Sequence, residues 1–337
     1  MTGASGYVGG MLVPRLLAEG WRVRVLTRDR TALRGHDWAE RVEVVEGDAA
    51  DPRALREALA GAQIAYYLIH SMAGGVDFAE RDRQLARQFN ESAEAARVRR
   101  IVFLGGLHPD GERLSPHLAS RVEVGRIFLD GAVPAAVMQA AVVLGAGSIS
   151  FQMLRYLSDR LPVMLAPKWL DNRVQPIAVD DLLHYLIAAA DLPAEVNRTL
   201  DVGGPEVLTY AEMIHRFARV TGLRDRRVLT VPVLTPGLAS RWIGLVTPLD
   251  TRVARPLVDS LVHDMVCRDD AADHLPLPPA GPTGFDDAVR VAMADAGQDH
   301  GLRNFALAAS ATAGAALAFV MMVRGRRTAE YPVTCPR

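Results

Sequence analysis

Lysine and cysteine are the residue types that this sequence has least of. Lys168 is the single lysine among 337 residues, so a catalytic ammonium group has almost no candidates. The two cysteines, Cys267 and Cys335, stand far apart without CxxC spacing. That spacing argues against a disulfide framework or a structural zinc site, and it fits a reducing cytoplasm.

A strong charge of either sign is also absent. The formal net charge is -1, so no basic excess points to nucleic acid as a partner. The histidines show no HExxH or comparable spacing, so no metal site is expected. Half of the residues are apolar, which is enough to bury a large core in a chain of this length.

Glycine is concentrated at the opening of the chain, MTGASGYVGG, and an apolar stripe with helical spacing follows it. Glycines three residues apart allow a tight turn and a close approach of the backbone to a pyrophosphate at the helix N-terminus. The sequence therefore predicts a dinucleotide-binding loop. The residues expected to contact the cofactor are Gly3, Ser5, Gly6, Tyr7, Val8 and Gly9.

Strand and helix patterns alternate along the next part of the chain. Short β-branched or aromatic segments recur as WRVRVLTR, VEVVEGD, IAYYLIHS, IVFLGG and AAVMQAAVVLG, and helical patterns such as residues 51–60 and 79–97 lie between them. Strands separated by helices of this length imply right-handed crossovers and a parallel sheet. We therefore predict an α/β protein with a doubly wound parallel Rossmann sheet and a smaller C-terminal lobe.

The pattern loosens after about residue 146, which suggests a second lobe. We expect residues 1–150 to form the NAD(P)-binding Rossmann domain, with residues 172–203 returning to it. Residues 151–171 and 204–297 are expected to form a substrate lobe, because helical stretches there mix with proline-rich connectors such as LPLPPAGPTG. Residues 298–337 are expected to form a C-terminal tail.

The glycine loop is preceded by Met1 and Thr2 in this sequence, whereas such loops normally follow a full β-strand. That strand is central in a doubly wound sheet, so its absence leaves two inner strands without a full partner between them. Unpaired buried backbone groups cost about 1 to 3 kcal/mol each. We therefore predict such a gap in the sheet, and we expect the native chain to start several residues earlier.

The end of the second expected strand, VRVLTRDR, determines which cofactor ribose is bound. A carboxylate at this place favours NAD, whereas an arginine can pair with the 2′-phosphate of NADP. Arg28 therefore favours NADP(H), with NAD as the alternative, although it also fits a solvated loop arginine. Asp48 ends the next strand and either contacts the adenine side of the site or caps the helix that begins near Asp51.

Several of these motifs together resemble a known family. TGxxGxxG, the arginine after the second strand, EGDAADPRALREAL, VRRIVFLGG, VQPIAVDDLLHYL and DVGGPEVLTYAEM are similar to the extended and atypical short-chain dehydrogenase/reductases. The most similar branch includes the NmrA-like proteins and the Rossmann accessory subunit of respiratory complex I. The resemblance covers roughly residues 1 to 295, and it implies a cofactor across the strand ends with a substrate in the cleft beneath the C-terminal lobe.

The standard catalytic residues of that family are missing here. Its members use a Tyr-x-x-x-Lys pair and a nearby Ser or Thr. The matching helix, SPHLASRVEVGRIF, has His117 at the tyrosine position and Arg121 at the lysine position, and Gly105 and Gly106 stand where the Ser or Thr is expected. His70 ends the fourth expected strand, where it either contacts the nicotinamide ribose or caps the strand.

Two functions follow from this pattern. In the first, His117 is a general acid or base of an NADP-dependent oxidoreductase acting on a small carbonyl or quinone-like substrate, and Arg121 lowers its pKa and pairs with a phosphate or an acidic substrate. In the second, the protein binds NADP(H) without catalysis, as a redox sensor or an assembly factor. The segments LPVMLAPKWL and RWIGLVTPLD suggest an apolar cleft wall in either case.

The C-terminal region contains an uncharged stretch over residues 305–323, FALAASATAGAALAFVMMV, followed by three arginines within four residues. Nineteen helical residues are just long enough to span a bilayer. Eight of them are alanine, so the stretch also fits a helix packed on protein. We expect the Rossmann domain to be cytoplasmic, with this segment attaching it to the inner face of the membrane.

Overall fold

The computed structural model describes residues 1–69, 78–160, 163–224, 226–231, 259–268 and 274–298. The helices are α1 (Tyr7–Ala18), α2 (Pro52–Leu59), α3 (Phe78–Ala95), α4 (Pro116–Leu129), α5 (Ile149–Arg160), α6 (Val179–Ala188), α7 (Tyr210–Val220) and α8 (Phe285–Gln298). The strands are β1 (Arg24–Thr27), β2 (Glu43–Glu46), β3 (Ile64–Tyr67), β4 (Arg100–Gly106), β5 (Ala135–Ala140), β6 (Val143–Leu144), β7 (Val163–Pro167), β8 (Arg173–Val174), β9 (Ile177–Ala178), β10 (Arg198–Asp201), β11 (Leu208–Thr209) and β12 (Arg227–Val231).

The central sheet is parallel and carries helices on both faces. Its strands run in the order β10-β5-β4-β3 in one part and β1-β2 in the other, and every neighbouring pair is parallel. Successive residues of β4 alternate between two hydrophobic clusters: Val102 packs with α1 and α6, whereas Ile101 and Phe103 pack with α2, α3 and α4. The predicted doubly wound α/β fold is confirmed.

The two parts of the sheet meet at the first residues of the chain. Thr2 bridges to Leu26 of β1 on one side and to Tyr67 of β3 on the other. The Leu26 amide donates to the Met1 carbonyl at 2.9 Å, and the Thr2 amide donates to the Tyr66 carbonyl at 2.9 Å. β1 and β3 therefore have no full strand between them among the described residues, as predicted, and Thr2 bridges the two.

A third hydrophobic cluster lies beyond the sheet, between α5, α7 and α8. The segment 259–268 is attached to it: the Met265 amide donates to the Arg173 carbonyl, and the Arg268 guanidinium pairs with the buried Asp201 at the end of β10. Residues 1–293 form one compact unit, and residues 294–298 are the described part of a second one. The division into a Rossmann domain and a substrate lobe stays a prediction.

Within the described ranges, no helix is both long enough and apolar enough to cross a membrane. The stretch 305–323 lies outside those ranges.

Candidate cofactor and substrate site

The glycine loop has the close backbone contacts that the sequence predicted. Gly3 adopts a φ of +75°, and a Cβ atom there would lie 2.5 Å from the Leu68 carbonyl oxygen. A Cβ atom on Gly9 would lie 2.2 Å from the Gly3 carbonyl oxygen. Side chains at these two positions would force the loop away from β3 and from the first turn of α1.

The loop leads into the N-terminus of α1. Gly6 is the N-cap residue and has no side chain that could cap the first amides of the helix. Uncapped amides at a helix N-terminus attract an anion, because they are donors without partners and lie at the positive end of the helix dipole. The residues present therefore fit the pyrophosphate of a dinucleotide.

Arg28 follows β1 directly, and its side chain is exposed. The carboxylate of the next residue, Asp29, is occupied locally: it accepts from the Thr31 amide at 2.7 Å, and these Thr31 hydrogen bonds keep the pKa of Asp29 below its usual value. The loop that follows is held against α1 by Trp38, whose indole N–H donates to the Gly10 carbonyl at 3.0 Å. An exposed arginine therefore follows β1, at the place where the sequence predicts that NADP and NAD are distinguished.

Two other predicted cofactor contacts have separate outcomes. The Asp48 carboxylate accepts from the Ala50 amide at 2.9 Å, and the N-cap of α2 is Asp51, which accepts from the Arg53 amide. The adenine contact of Asp48 stays a prediction. His70 lies outside the described residues.

A cavity of about 590 Å³ opens beside the glycine loop. Gly3, Gly6, Tyr7, Val8 and Gly9 contribute to its wall, and so do His117 and Arg121 of α4. The lining residues that the structure describes include no aspartate or glutamate, and most of them are apolar. Most of the apolar lining residues belong either to the hydrophobic cluster that contains Val102, α1 and α6 or to the third cluster, so the cavity lies between these two. Such a lining suits a neutral, apolar molecule.

His117 lies in the first turn of α4 and is partly buried. Burial, together with the nearby positive charge of Arg121, lowers the pKa of His117 to about 4. The effect of Arg121 has the predicted direction, although burial is the larger cause. At neutral pH the imidazole is therefore uncharged, so it is a hydrogen-bond donor or a weak base and not an acid.

Arg121 is buried, and its guanidinium holds two strand ends together. It donates to the Ile69 carbonyl at 3.0 Å and to the Leu104 carbonyl at 2.7 Å, and it lies 4.6 Å from the centre of the Phe103 ring. Leu104 lies in the last part of β4, and Ile69 lies two residues after the end of β3. Two backbone carbonyls thus accept from Arg121, whose guanidinium has five N–H donors, and its pairing with a phosphate stays a prediction.

The cavity wall also contains residues that sequence reasoning did not single out. Tyr210 opens α7, and Trp169 lies in the predicted apolar segment LPVMLAPKWL; both line the cavity. The other predicted wall segment, at 241–250, lies outside the described residues. Tyr210 was predictable only as a helix residue, since nothing in its local sequence separates a cavity tyrosine from a core one. Among the described residues, no cluster of side chains is suited to a metal ion.

Comparison with known proteins identifies the family. Residues 3–155 match a family model described as NAD(P)H-binding. The ceramide reductase of Caulobacter vibrioides is 31% identical over 256 residues, which are 73% of this chain and 78% of that protein. The sterol demethylase protein B of Methylococcus capsulatus is 33% identical over 124 residues, which are 33% of this chain and 36% of that protein.

Solved structures agree with this fold. The triphenylmethane reductase of Citrobacter sp., complexed with NADP(H), has a TM-score of 0.66 at 16% identity and covers 86% of this chain and 98% of its own. An NADPH-dependent quinone oxidoreductase of Escherichia coli, complexed with NADPH, has a TM-score of 0.64 at 18% identity; the match covers 86% of this chain and 97% of that protein. With the glycine loop, the parallel sheet and these matches together, the chain belongs to the extended and atypical short-chain dehydrogenase/reductases, which bind NAD(P)(H) in a Rossmann fold.

Proposed function

We propose that this protein is an NADP(H)-dependent oxidoreductase that reduces the carbonyl group of a neutral, largely apolar substrate. The observation that carries the proposal is the apolar cavity that shares its wall with the glycine loop. A substrate in this cavity lies beside the dinucleotide site and against a mostly apolar wall. An apolar wall with few polar groups is typical of a small-molecule site.

The choice of NADP(H) is supported by Arg28. Its exposed side chain makes no hydrogen bond or ion pair with any residue that the structure describes, so it is available to a 2′-phosphate. Asp29 is less suited to a ribose hydroxyl, because its carboxylate already accepts from Thr31. An arginine paired with a phosphate forms strong, charge-assisted hydrogen bonds.

NADPH bound here would supply a hydride to the carbonyl carbon and become NADP⁺, and with a proton on the oxygen the substrate would become an alcohol. The glycine loop and the α1 N-terminus would hold its pyrophosphate. His117, uncharged at neutral pH, would donate an N–H to the carbonyl oxygen and so polarise the C=O bond. The proton on the product oxygen then comes ultimately from water, because a histidine of low pKa carries too few protons to act as the acid.

Arg121 is proposed as a positioning residue. Its hydrogen bonds to Ile69 and Leu104 fix the ends of β3 and β4, where the cofactor and the substrate meet in this fold. This role differs from that of the family lysine. It requires no contact between Arg121 and the substrate.

The substrate class is supported by the name of the Caulobacter vibrioides relative. That protein is named for the reduction of ceramide, a long-chain lipid, and the cavity here is apolar enough for such a chain. We therefore extend the proposal from small carbonyl and quinone-like compounds to long-chain lipids that carry a ketone.

The alternative function is the binding of NADP(H) without catalysis. It is favoured by the two glycines, Gly105 and Gly106, at the place of the family Ser or Thr. The cavity argues for catalysis, because a sensor of the dinucleotide alone has no need of an apolar chamber beside it.

Attachment to a membrane is a further part of the proposal, and it rests on sequence. The uncharged stretch 305–323 with the arginines behind it would hold a cytoplasmic enzyme beside the lipids that it reduces. Fractionation of the chain with and without residues 299–337 tests this, and recovery of both forms in the soluble fraction would contradict it.

The main experiment follows NADPH oxidation at 340 nm with a panel of long-chain ketones, short ketones and quinones. We expect turnover with NADPH, fastest with the long-chain ketones. A protein that binds NADPH tightly but oxidises it with no member of the panel would support the non-catalytic alternative.

A further inference from the structure

The loop that connects β4 to α4, residues 107–115, is joined to a part of the chain 145 to 158 residues farther on. Three side-chain pairs connect it to the segment 259–268, namely Asp110–Arg268, Glu112–His263 and Ser115–Ser260. Residue numbers rise along one partner as they fall along the other, so the two segments run antiparallel. The loop is therefore held at intervals up to the residue at which α4 begins.

Two of these pairs lie close to the start of α4 and are shielded from water. Nδ1 of His263 lies 2.7 Å from a carboxylate oxygen of Glu112, and the histidine side chain is 8% exposed. An ionised carboxylate has no donor, so Nδ1 carries the hydrogen of this bond. The hydroxyl oxygens of Ser115 and Ser260, both buried, lie 3.3 Å apart. Water competes less with buried bonds than with exposed ion pairs, so these two pairs should hold the loop most firmly.

Ser115 transmits this support to the helix, because it is the N-cap residue of α4. Its hydroxyl accepts from the Leu118 amide at 3.3 Å, and its carbonyl accepts from the Ala119 amide at 2.9 Å. His117 lies between these residues, two positions after the cap. A shift of Ser115 would therefore displace the first turn of α4 together with the imidazole that it carries.

The segment 259–268 also contributes to the cavity beside which His117 lies. Ser260, Leu261 and Met265 line the same cavity as His117. The segment has a second anchor at β8, where the Met265 amide donates to the Arg173 carbonyl at 2.8 Å. It is thus a support that reaches along the cavity wall from β8 to the start of α4.

We propose that Ser260 and His263 are positioning residues, which hold the first turn of α4 so that the His117 imidazole meets the substrate carbonyl. The inference rests on the proposed function, in which His117 polarises that carbonyl. Helix ends open locally at little cost, and bonds from a distant segment restrict this motion. A hydrogen bond to a reacting carbonyl depends steeply on distance and angle, so a small displacement of the imidazole should slow the reaction.

The test breaks each bond separately. Ser260→Ala removes one hydroxyl, and Glu112→Ala removes the partner of His263 at a side chain that is 53% exposed. His263→Leu removes the donor from the other side, whereas His263→Asn keeps an N–H close to the place of Nδ1. Asp264→Asn is the matched control, because it breaks the ion pair of the same segment with Arg173 and leaves the bonds to the loop before α4 in place.

The first readout is the His117 imidazole, followed by NMR titration and assigned with His117→Ala. Burial, with a smaller contribution from Arg121, keeps the pKa of His117 at about 4. A loosened start of α4 admits water, so Ser260→Ala, Glu112→Ala and His263→Leu should raise this pKa to about 5 or above. Asp264→Asn and His263→Asn should leave it unchanged.

The second readout is the steady-state oxidation of NADPH with the best ketone of the panel. The same three disruptive variants should lower kcat about tenfold and change KM less than about threefold, because the apolar lining stays in place while the bond to the reacting oxygen is misaligned. His263→Asn should recover most of the kcat that His263→Leu loses. NADPH affinity within about threefold of the unmodified protein shows that the variants are folded.

The outcomes separate this inference from the proposed function. Ser260 or His263 loses the positioning role if its disruptive variants leave either the His117 pKa or kcat unchanged. An equal change in Asp264→Asn overturns the inference for both, since loosening the segment anywhere would then have the same effect. If no ketone is reduced by the unmodified protein, the proposed function fails, and the His117 titration alone decides whether the segment holds the start of α4.

Discussion

Replacing Gly9 by alanine perturbs the cofactor site at its narrowest point. The added Cβ would lie 2.2 Å from the Gly3 carbonyl oxygen and 2.9 Å from Ala4 Cα. Both are backbone atoms, so the loop and the helix have to separate by roughly 1 Å to regain ordinary contact. Overpacking of this kind costs about 1 to 3 kcal/mol, and only about 1 kcal/mol returns from the better helix propensity of alanine.

Gly10 supplies the control, one residue farther along the same helix. A Cβ there meets the far end of the His36 side chain at 3.0 Å and the Ala4 carbonyl oxygen at 3.5 Å. A side chain can move aside where backbone cannot, so Gly10→Ala should be tolerated. We expect Gly9→Ala to melt several degrees below Gly10→Ala.

The assay is NADPH binding by fluorescence, with Tm measured in parallel. A loop displaced by an ångström loses at least one amide contact to a phosphate, which corresponds to a Kd at least tenfold higher. Gly10→Ala should bind within about threefold of the unmodified protein. If Gly9→Ala binds NADPH as tightly as Gly10→Ala, then the close approach of loop and helix is not what forms the site.

Three further predictions concern specificity, the histidine and an ion pair. Arg28→Asp should weaken NADPH binding about tenfold or more and spare NADH; equal affinity of the unmodified protein for both cofactors would contradict the assigned role. His117→Ala should abolish turnover with little change in NADPH affinity. Because the pKa of His117 is about 4 in the folded state and near 6.5 in the unfolded state, stability should fall as pH drops from 6.5 to 4, by on the order of 1 to 3 kcal/mol, and urea unfolding of His117→Ala should show a flatter profile. Arg268→Met leaves the Asp201 carboxylate, which is 1% exposed, without its cation, and should cost about 3 to 5 kcal/mol in denaturant unfolding; the exposed pair of Arg290 is the control, since Arg290→Ala should cost under about 1 kcal/mol.

The fold was largely predictable because its signals are local and repeated. The helices predicted at 51–60 and 79–97 are Pro52–Leu59 and Phe78–Ala95. Both ends of each helix agree within two residues, since apolar spacing and, for the first helix, the cap residue Asp51 are sequence properties. The two-residue strands, such as β8 and β9, were not predictable, because a period of two has no statistical weight over two residues.

The site was predictable only where the backbone itself carries the function. The spacing of the glycines predicts the loop, because a side chain at Gly3 would fit neither its φ of +75° nor the close approach of the Leu68 carbonyl. The partners of Arg121 could not be predicted, because they are the main-chain carbonyls of Ile69 and Leu104 and every residue has such a carbonyl. Trp169 and Tyr210 belong to one hydrophobic cluster through the packing of separate elements, which no local pattern encodes.

Thr2 joins the two parts of the sheet, because it bridges to β1 on one side and to β3 on the other. Among the described residues, Met1 and Thr2 make backbone hydrogen bonds to these strands, and the glycine loop begins at the next residue, Gly3. Loss of the bridge between Thr2 and β1 would therefore separate β1 and β2 from the other strands and disrupt the dinucleotide site in the same event. NADPH binds the state in which Thr2 bridges both strands, so by linkage the cofactor should slow amide hydrogen exchange in β1 and β2 more than in β4 and β5. The cofactor is therefore expected to stabilise the sheet that binds it.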